Sequence, residues 1–365
     1  MSGYYHKPVM PREVMELLDL KRGMTVVDCT VGGGGHARLM LRSVLPSGFL
    51  VGIDQDPEAI EAANATLKET LKDAAKDAAK DAVKDAARDA MADVVKDDMA
   101  DTIIDTATDA IADAAEDLAK KPPFILIHSN FSRIKEIMRA LGIQGADRAL
   151  IDLGVSSHQL DEAERGFSYQ RQGDLDMRMN TLSDGPKAGD IVMNSDAKEL
   201  ERIFSRYGEE RWSRRIAEFI VRERENSPIR TTADLVEIIK KAIPAAARRD
   251  GPHPAKRCFQ ALRIHINNEL DILEQAIADL IEILKPGGRL AVISFHSLED
   301  RIVKETFRKN EAACACPRNM PVCVCGNKKL GRALTRKPVL PGDDEVVENP
   351  RSASAKLRVF EKGVA

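Results

Sequence analysis

The chain has 365 residues, 43% of them hydrophobic, which is enough for two domains or one large decorated domain. It contains no run of about 18 apolar residues that would predict a membrane span, and residues 1–10 carry neither an apolar signal core nor an Arg-rich presequence, so we expect a cytoplasmic protein. The net charge is −3, but the charge is distributed unevenly, because the segment 67–121 has 9 Lys and Arg against 15 Asp and Glu. The rest of the chain is mildly basic, which permits nucleic-acid binding without requiring it.

Apolar, strand-like runs alternate with helical patterns along most of the chain. The strand-like runs cover residues 25–29, 49–54, 124–128, 149–153 and 289–295. The runs at 25–29, 49–54 and 149–153 stop at small or acidic residues. The helical patterns cover residues 11–18, 37–44, 57–67, 132–141 and 269–284. This alternation predicts an α/β fold in which helices cover both faces of a parallel sheet.

A low-complexity stretch at residues 72–118 interrupts the alternation, within the acidic segment 67–121. Its first half repeats Lys-Asp-Ala-Ala every four residues. Four residues advance about 400° round a helix, so the alanine stripe drifts by about 40° per repeat and no single face stays apolar. We predict a solvated helix or a partly disordered arm that leaves the core fold intact, with a partner-binding coiled segment as the alternative.

Strand patterns disappear between residues 157 and 255, where the sequence is charged and helical with breaks at Pro186, Pro228 and Pro244. We interpret residues 157–255 as an all-helical domain inserted after the fourth strand. The sheet domain is then formed by residues 1–156 and 256–365.

A glycine-rich turn follows the first strand, in the sequence Asp28-Cys-Thr-Val-Gly-Gly-Gly-Gly-His36. Glycines between a strand and a helix let the backbone approach a ligand, and the helix start offers free N–H groups. Asp54 ends the next strand, where a carboxylate accepts hydrogen bonds from the ribose hydroxyls of an adenosine. Two classes of cofactor fit this geometry, a dinucleotide and S-adenosylmethionine.

Gly32-x-Gly34-x-x-Ala37 matches the dinucleotide pattern. Other features favour S-adenosylmethionine. Asp28 closes the first strand, where it can orient the amino-acid portion of this donor. No second nucleotide-binding half is visible, and the turn 285–288 before a late strand resembles one found in Rossmann-like methyltransferases.

Further motifs extend along the chain in a fixed order. They are His6-Lys-Pro-Val9, the glycine turn, Asn130-Phe131, Asp152-Leu-Gly-Val-Ser-Ser157, Gln159-Leu-Asp-Glu-Ala-Glu-Arg-Gly-Phe-Ser168, Leu175-Asp-Met-Arg-Met179, Arg206-Tyr-Gly-Glu-Glu210, His253-Pro-Ala255, Phe259-Gln-Ala-Leu-Arg-Ile264, Ser294-Phe-His-Ser-Leu-Glu-Asp-Arg301 and Asn349-Pro-Arg351. Together they resemble the RsmH (MraW) family of bacterial 16S rRNA cytosine-N4 methyltransferases, over nearly the whole chain except about 67–121.

The resemblance implies a Rossmann-like methyltransferase sheet that uses S-adenosylmethionine, with an inserted all-helical domain that helps to hold RNA. It implies methylation of a cytidine amine in the decoding centre, with 16S rRNA in the small ribosomal subunit as partner. The donor-binding residues that it implies are Gly34, Gly35, His36, Asp54, Phe131, Asp152 and Gln159. The insert shifts the spacing before Phe131, so that assignment depends on the local Asn-Phe match alone.

The exocyclic amine of cytosine is a poor nucleophile, because its lone pair is delocalised into the ring. Acceptors near the N–H groups can localise that lone pair and take the proton. Asp152 and His296 are the candidate catalytic residues, although for Asp152 we favour contact with the adenine or methionine end of the donor. The loop 152–157 lacks the prolines and aromatic residue of other amino-methyltransferases, so analogy does not identify the acceptor. No catalytic metal is required, because the methyl group of a sulfonium is already activated.

Contacts to RNA should come from basic and aromatic residues in or near the helical domain, since a flipped base stacks on an aromatic ring while arginines hold phosphates. The candidates are Phe167, Tyr169, Arg171, Arg178, Arg206, Arg211, Arg214 and Arg215, and basic residues recur at Lys328, Lys329, Arg332, Arg336 and Lys337. We expect no membrane partner, and both a monomer and a homodimer fit.

Six cysteines in a chain of this length do not indicate a disulfide scaffold. Four of them cluster at Cys314, Cys316, Cys323 and Cys325. Four thiols can bind zinc, although C-x-x-C is the commoner ligand spacing, so the sequence leaves this question open.

Three other functions remain as alternatives. One is an S-adenosylmethionine-dependent methyltransferase that acts on a different RNA or on a protein. Another is a non-catalytic ribosome-assembly factor that has kept only the donor-binding site. The most remote is a dinucleotide-dependent dehydrogenase.

Overall fold

A computed structural model of the chain describes residues 8–92, 122–249, 253–314, 316, 325 and 328–364, with backbone only for 81–92. The His6-Lys7 start of the first motif, Cys323 and residues 93–121 of the predicted arm lie outside these residues. Among the helices that are described, none is both long enough and apolar enough to cross a membrane.

The strands form one seven-stranded sheet in the order β3-β2-β1-β4-β5-β7-β6. They are β1 Thr25–Asp28, β2 Phe49–Asp54, β3 Phe124–His128, β4 Ala146–Asp152, β5 Leu284–Ser294, β6 Gly331–Ala333 and β7 Lys356–Lys362. β1 to β5 pair in parallel, whereas β7 is antiparallel to both β5 and β6. Because the order reverses at β1, a crevice opens at the carboxyl ends of β1 and β4.

Helices pack on both faces of this sheet, because the parallel strands are apolar on both sides. One face holds α1 Pro11–Leu18, α2 Gly35–Val44 and the start of α3 Pro57–Ala92, with Val14, Met40 and Leu67 in their shared core. The other holds α4 Ile134–Ala140, α11 Leu273–Ile283 and α12 Ser297–Glu311.

The chain between β4 and α11 forms a helical part with its own apolar core, which includes Phe204, Ile220 and Leu262. Its helices are α5 Ser157–Asp161, α6 Ala188–Asn194, α7 Ala197–Gly208, α8 Ser213–Asn226, α9 Thr232–Ala242 and α10 Ala255–Asn267. Among its described residues the strand pairing is limited to one isolated bridge that joins Asp174 to Thr231. The predicted fold class, a Rossmann-like sheet with inserted helices, is therefore confirmed.

α3 is the longest helix, with 36 residues. It begins on the sheet, where Ala63 and Leu67 are fully buried, and Thr70 is its last buried residue before residue 80. Beyond that point the Lys-Asp-Ala-Ala repeat enters solvent, and an ion pair of 2.6 Å between Arg42 and Asp77 joins it to α2. The absence of a persistent apolar stripe explains why this helix leaves the core.

Candidate active site

A cleft of about 720 Å³ lies at the carboxyl ends of the parallel strands, between the sheet and the helical part. Thr30, Asp54 and Asp152 line it from the sheet, while Phe259 and Arg263 line it from α10. Carboxyl ends of parallel strands meet at one edge of a sheet, so acids that follow different strands converge there. The size is in the range of ligand-binding sites.

The glycine-rich turn between β1 and α2 forms one wall of the cleft. The N–H of Gly32 donates to Asp54 Oδ2 at 2.8 Å, which joins the ends of β1 and β2. Gly34 has a φ of +84°, and a Cβ there would approach Thr66 Cβ to 3.1 Å. The hydroxyl of Thr66 also donates to the Gly33 carbonyl at 2.9 Å. The turn therefore needs glycine at position 34 both for its backbone conformation and for its contact with α3.

Gly34, Gly35 and His36 were predicted to bind the donor. The structure places Gly32, rather than these three residues, among those that line the cleft. Gly35 and His36 are buried in the first turn of α2, directly behind the glycine turn. His36 Nε2 lies 3.7 Å from Asp152 Oδ2. The predicted contacts of these residues with a ligand remain a prediction.

Three acids, Asp28, Asp54 and Asp152, follow β1, β2 and β4, and we call them the acid edge. Asp28 is 1% exposed, and its Oδ2 accepts no hydrogen bond from the described residues. Burial, together with the charge of Asp54, raises the pKa of Asp28 to about 7 despite a hydrogen bond from the Thr30 N–H. Asp152 Oδ1 is also buried without a partner, and burial followed by the charge of Asp28 raises its pKa well above the usual range.

Asp54, the third member of the acid edge, is held by backbone donors. Its Oδ2 accepts from Gly32 and its Oδ1 accepts from the Asp56 N–H at 2.9 Å. These hydrogen bonds lower the pKa of Asp54, but burial outweighs them and raises it to about 6. Each oxygen keeps a lone pair for a ligand.

The other two predicted donor contacts, Phe131 and Gln159, also lie at the cleft. Phe131 is 8% exposed and packs into the core beside β1, with one side on the cleft. Gln159 is held at both ends, because Nε2 donates to Asp56 at 2.7 Å and Oε1 accepts from the Ser156 N–H. Gln159 therefore shapes the wall as part of a capping box that starts α5.

Asp56 and Glu58, just beyond the acid edge, are paired with a cation. Arg165 reaches Asp56 and Glu58 at 2.9 Å each, and also donates to the Met179 carbonyl. Asp56 and Arg165 are both largely buried. This network joins the sheet to the helical part beside the cleft.

His296, the second catalytic candidate, lines the cleft at the start of α12. Its Nε2 lies 3.1 Å from Glu299 Oε1, and Arg263 pairs with Glu269 at 2.9 and 3.0 Å beside them. Burial alone would raise the pKa of Glu299, but the hydrogen bond with His296 and the charges of His296 and Arg263 lower it overall. Glu299 is therefore an anion that holds the imidazole in place.

Sequence reasoning missed several residues of the cleft. Arg263, Glu269 and Asn349 line it, as do Thr30 and Asn130. Arg263 belongs to the motif Phe259–Ile264, but no role was predicted for it.

The segment that carries Asn349-Pro-Arg351 also closes one side of the cleft. Arg351 forms an ion pair of 2.8 Å with Asp161 at the end of α5. This pair joins parts of the chain that are 190 positions apart. The motif was recognised in the sequence, but no role was assigned to it.

Aromatic rings form the side of the cleft that belongs to the helical part. Phe167, Tyr169 and Phe259 line it. Tyr169 stacks on His253 with ring centroids 4.7 Å apart, and meets Phe259 edge-on. Lys256 and Arg171 line the same side. Five of the basic residues predicted to hold RNA form ion pairs with acids of the chain: Arg171 with Asp161, Arg178 with Asp176, Arg206 with Asp271, Arg214 with Glu218 and Arg332 with Glu361. Their contacts with RNA remain a prediction.

The two sides of the cleft differ in what they can bind. The acid edge offers buried carboxylate oxygens that have no partner, which fits a ligand carrying positive charge next to a diol. The opposite side offers aromatic faces and basic groups, which fit a nucleotide. The arrangement can therefore hold a cationic cofactor against a nucleic-acid base.

Comparison with protein families gives a direct match. The model of the MraW methylase family matches residues 3–99 and 88–363. The two ranges together cover nearly all of the chain.

Individual relatives agree with that match. A protein of Geobacter sulfurreducens is 45% identical over 98% of this chain and 99% of its own, and one of Symbiobacterium thermophilum is 44% identical over 99% and 97%. Both are named ribosomal RNA small subunit methyltransferase H. A solved structure described as a putative rRNA-methylase from Clostridium thermocellum aligns over 96% of this chain and 94% of that chain, at 12% identity and a TM-score of 0.39, a likeness too weak to argue from.

Proposed function

The chain belongs to the MraW methylase family, and from this premise we propose that it transfers a methyl group from S-adenosylmethionine to the N4 amine of a cytidine in the decoding centre of 16S rRNA. At the coarser level, the chain is a methyltransferase of small-subunit ribosomal RNA, and S-adenosylmethionine is its cofactor. The choice of cytidine and of the N4 atom is the finer part of the proposal. We propose that it acts in the cytoplasm, where ribosomal subunits are assembled.

The observation that carries the proposal is the acid edge, which faces an aromatic and basic wall across one cleft. S-adenosylmethionine supplies a methyl group on a positively charged sulfur, next to an ammonium group and an adenosine. In the proposal, Asp54 accepts from the ribose hydroxyls and Phe131 packs on the adenine. Asp28 and Asp152 balance the positive charge, since their buried oxygens Oδ2 and Oδ1 lack a partner.

Gly34, Gly35 and His36 are proposed to support this ligand from behind the glycine turn. The backbone of Gly32 forms the turn surface, and the first turn of α2 points its N–H groups toward the cleft. Gln159 is proposed to act mainly on the shape of the wall, because both ends of its side chain are already hydrogen-bonded.

The reacting side of the cleft contains Asp152 and His296, which we propose as the groups that receive the cytosine amine. A buried carboxylate with a raised pKa is a suitable acceptor for an N–H proton. His296 is oriented by Glu299, which fixes the ring at the start of α12. Since the methyl group is already activated, holding the amine in line with it supplies most of the rate.

We propose that the helical domain, residues 157–255, holds the RNA together with the adjoining helix α10. Tyr169 and Phe259 line the cleft, as do Arg171 and Lys256. A cytosine turned out of its stack can lie against these rings while its phosphates meet the basic groups.

The test incubates the full-length protein and small ribosomal subunits that lack the modification with methyl-labelled S-adenosylmethionine. Nucleosides from the digested rRNA are then separated and identified by mass spectrometry. We expect the label in N4-methylcytidine. Label in another nucleoside, or binding of S-adenosylmethionine with no transfer to any subunit or naked rRNA, would contradict the proposal.

A pair of variants connects this activity to the acid edge. Asp152→Asn should lower kcat by about 100-fold, because it removes the charge beside the reacting methyl group. Asp147→Asn is the matched control, since Asp147 lies at the far end of the same strand and pairs with Lys285. Equal activity of the two variants would remove Asp152 from the mechanism.

A further inference from the structure

A second group of chemically reactive side chains lies in the loop between α12 and β6. Cys314, Cys316 and Cys325 bring their sulfur atoms within 4.8 Å of one another. The ends of this loop are fixed, because the Leu330 N–H donates to the Asn310 carbonyl and the Gly363 N–H donates to the Leu330 carbonyl, both at 2.8 Å. None of the three cysteines is among the residues that line the cleft, so this group is separate from the proposed active site.

Two contacts connect Cys325 and Cys316 to Cys314. The Sγ of Cys325 lies 3.8 Å from Cys314 Sγ. The Cys316 N–H donates toward Cys314 Sγ at 3.4 Å.

The distance between two of the sulfurs fits a tetrahedral metal ion. A tetrahedral zinc ion with Zn–S bonds of about 2.3 Å holds its sulfurs about 3.8 Å apart, which is the Cys314–Cys325 separation. A disulfide bond needs only about 2.05 Å. Three thiolates on one soft, tetrahedral centre match zinc rather than a hard cation. Lys328 and Lys329, which are exposed three and four positions after Cys325, add positive charge close to the site in sequence.

We propose that Cys314, Cys316 and Cys325 bind one Zn²⁺ as thiolates, in a structural site that closes the loop between α12 and β6. Binding releases the three thiol protons to solvent, and the ion joins Cys314 and Cys316 to Cys325, which lies nine or more positions farther along the chain. Cys323 belongs to the same cluster in the sequence, but it lies outside the described residues and the proposal does not depend on it.

The first test measures zinc in tag-free, full-length protein purified without chelator, after dialysis against metal-free buffer. About one zinc per chain is expected. Cys314→Ser and Cys325→Ser should each lower the affinity for zinc by at least about 10-fold in competition with a chromogenic chelator. Ala313→Ser is the matched control, because it changes an exposed neighbour in the same loop and keeps every thiol.

A second measurement guards against a variant that fails to fold. Wild-type protein stripped of metal and loaded with Co²⁺ should show thiolate-to-cobalt charge-transfer absorption and the visible bands of a tetrahedral site. Cys314→Ser should weaken these bands, while Ala313→Ser should leave them unchanged.

Three results would overturn the proposal. One is wild-type protein that holds no zinc after incubation with zinc chloride under reducing conditions. Another is zinc content that is the same in the cysteine variants as in the wild type. A third is cobalt bands typical of oxygen ligands only. All of these readouts are independent of methyl transfer, so the zinc site can fail while the proposed enzymatic activity stands.

Discussion

The acids that face an arginine and the acids of the acid edge are treated differently by the protein. Asp56, just before α3, pairs with Arg165 of the helical part, and Asp176 within that part pairs with Arg178, whose hydrogen bonds more than offset burial and lower the pKa of Asp176. On the sheet side, none of the described lysines or arginines forms an ion pair with Asp28, Asp54 or Asp152. The pKa values there are raised, to about 7 for Asp28 and about 6 for Asp54, chiefly by burial.

This contrast separates structural acids from acids that are available to a ligand. A carboxylate that already has an arginine partner stabilises the fold and gains little from a cationic ligand. A buried carboxylate without one destabilises the fold until positive charge arrives. We propose that the acid edge costs folding free energy and that binding of S-adenosylmethionine there recovers it. Four predictions test this difference.

The largest effect is expected where a structural pair is broken. Arg165→Met leaves Asp56 buried without its cation and should lower the free energy of unfolding by about 3–5 kcal/mol. Arg206→Met is the control, because its pair with Asp271 is exposed and should be worth less than about 1 kcal/mol. Urea unfolding measures both. A similar decrease in the free energy of unfolding for both variants would mean that burial does not determine how much these ion pairs stabilise the fold.

Asp28→Asn should change stability and ligand binding in opposite directions. The pKa of Asp28 rises from 3.8 in the unfolded chain to about 7 in the folded protein. Between these two pH values the folded protein holds the proton and the unfolded chain does not, so the free energy of unfolding falls as the pH rises from about 4 to about 7. Above about pH 7 the variant should be more stable than the wild type by about 2–4 kcal/mol, yet bind S-adenosylmethionine more weakly.

Near pH 3, where Asp28 is largely protonated in both the folded and the unfolded chain, the two proteins should have nearly equal stability. Asp19→Asn, at an exposed acid beside Lys21, is the control and should change neither property. A variant that is less stable at pH 8 would contradict the assignment of Asp28 as an acid without a partner.

The affinity of the wild type for S-adenosylmethionine should itself depend on pH. If the cation binds to ionised Asp28, the dissociation constant should rise about tenfold as pH falls from about 8 to about 6. Protonation of Asp54, with a pKa of about 6, should steepen the change at the acid end. Calorimetry at several pH values measures this, and Asp28→Asn should flatten the upper part of the profile. A profile that is the same in both proteins would argue against a role for Asp28.

The smallest change in the free energy of unfolding is expected when an ion pair exposed to solvent is removed. Arg351→Ala removes the ion pair with Asp161, whose side chains are 45% and 44% exposed. The loss of unfolding free energy should be only about 0.2–1 kcal/mol, and added salt should remove the difference because it screens exposed charges. Thermal unfolding at low and high salt measures it. A large, salt-independent loss would show that this contact holds the closing segment more firmly than its exposure implies.

Local patterns in the sequence were sufficient for the five parallel strands and for the acids at their ends. A strand that is buried on both faces is apolar over most of its length, and an acid at its carboxyl end marks where it stops, so Asp28, Asp54 and Asp152 could be placed together in advance. The two antiparallel strands β6 and β7 were missed, because β6 has only three residues and β7 mixes Lys, Arg and Glu with its apolar residues.

The pairings across the cleft could not be read from the sequence. Arg263, Glu269 and Glu299 come together only when α10 and α12 pack against the same wall, and Arg351 meets Asp161 across 190 positions. Within the run of four glycines, spacing alone also did not reveal that Gly32 faces the cleft while Gly34 packs on α3. Which neighbour a residue faces depends on tertiary packing, not on the local pattern.

The helix α3 offers an experimental opportunity. Its base contacts the glycine turn through Thr66, whereas Lys72, Asp73 and Lys76 farther along are exposed. A fluorophore attached through a cysteine at one of these positions would lie outside the cleft, on the helix whose first turns contact the glycine turn. A change in its anisotropy would report ligand binding without a radioactive donor. The same positions would also serve to immobilise the protein without blocking the proposed RNA-binding side.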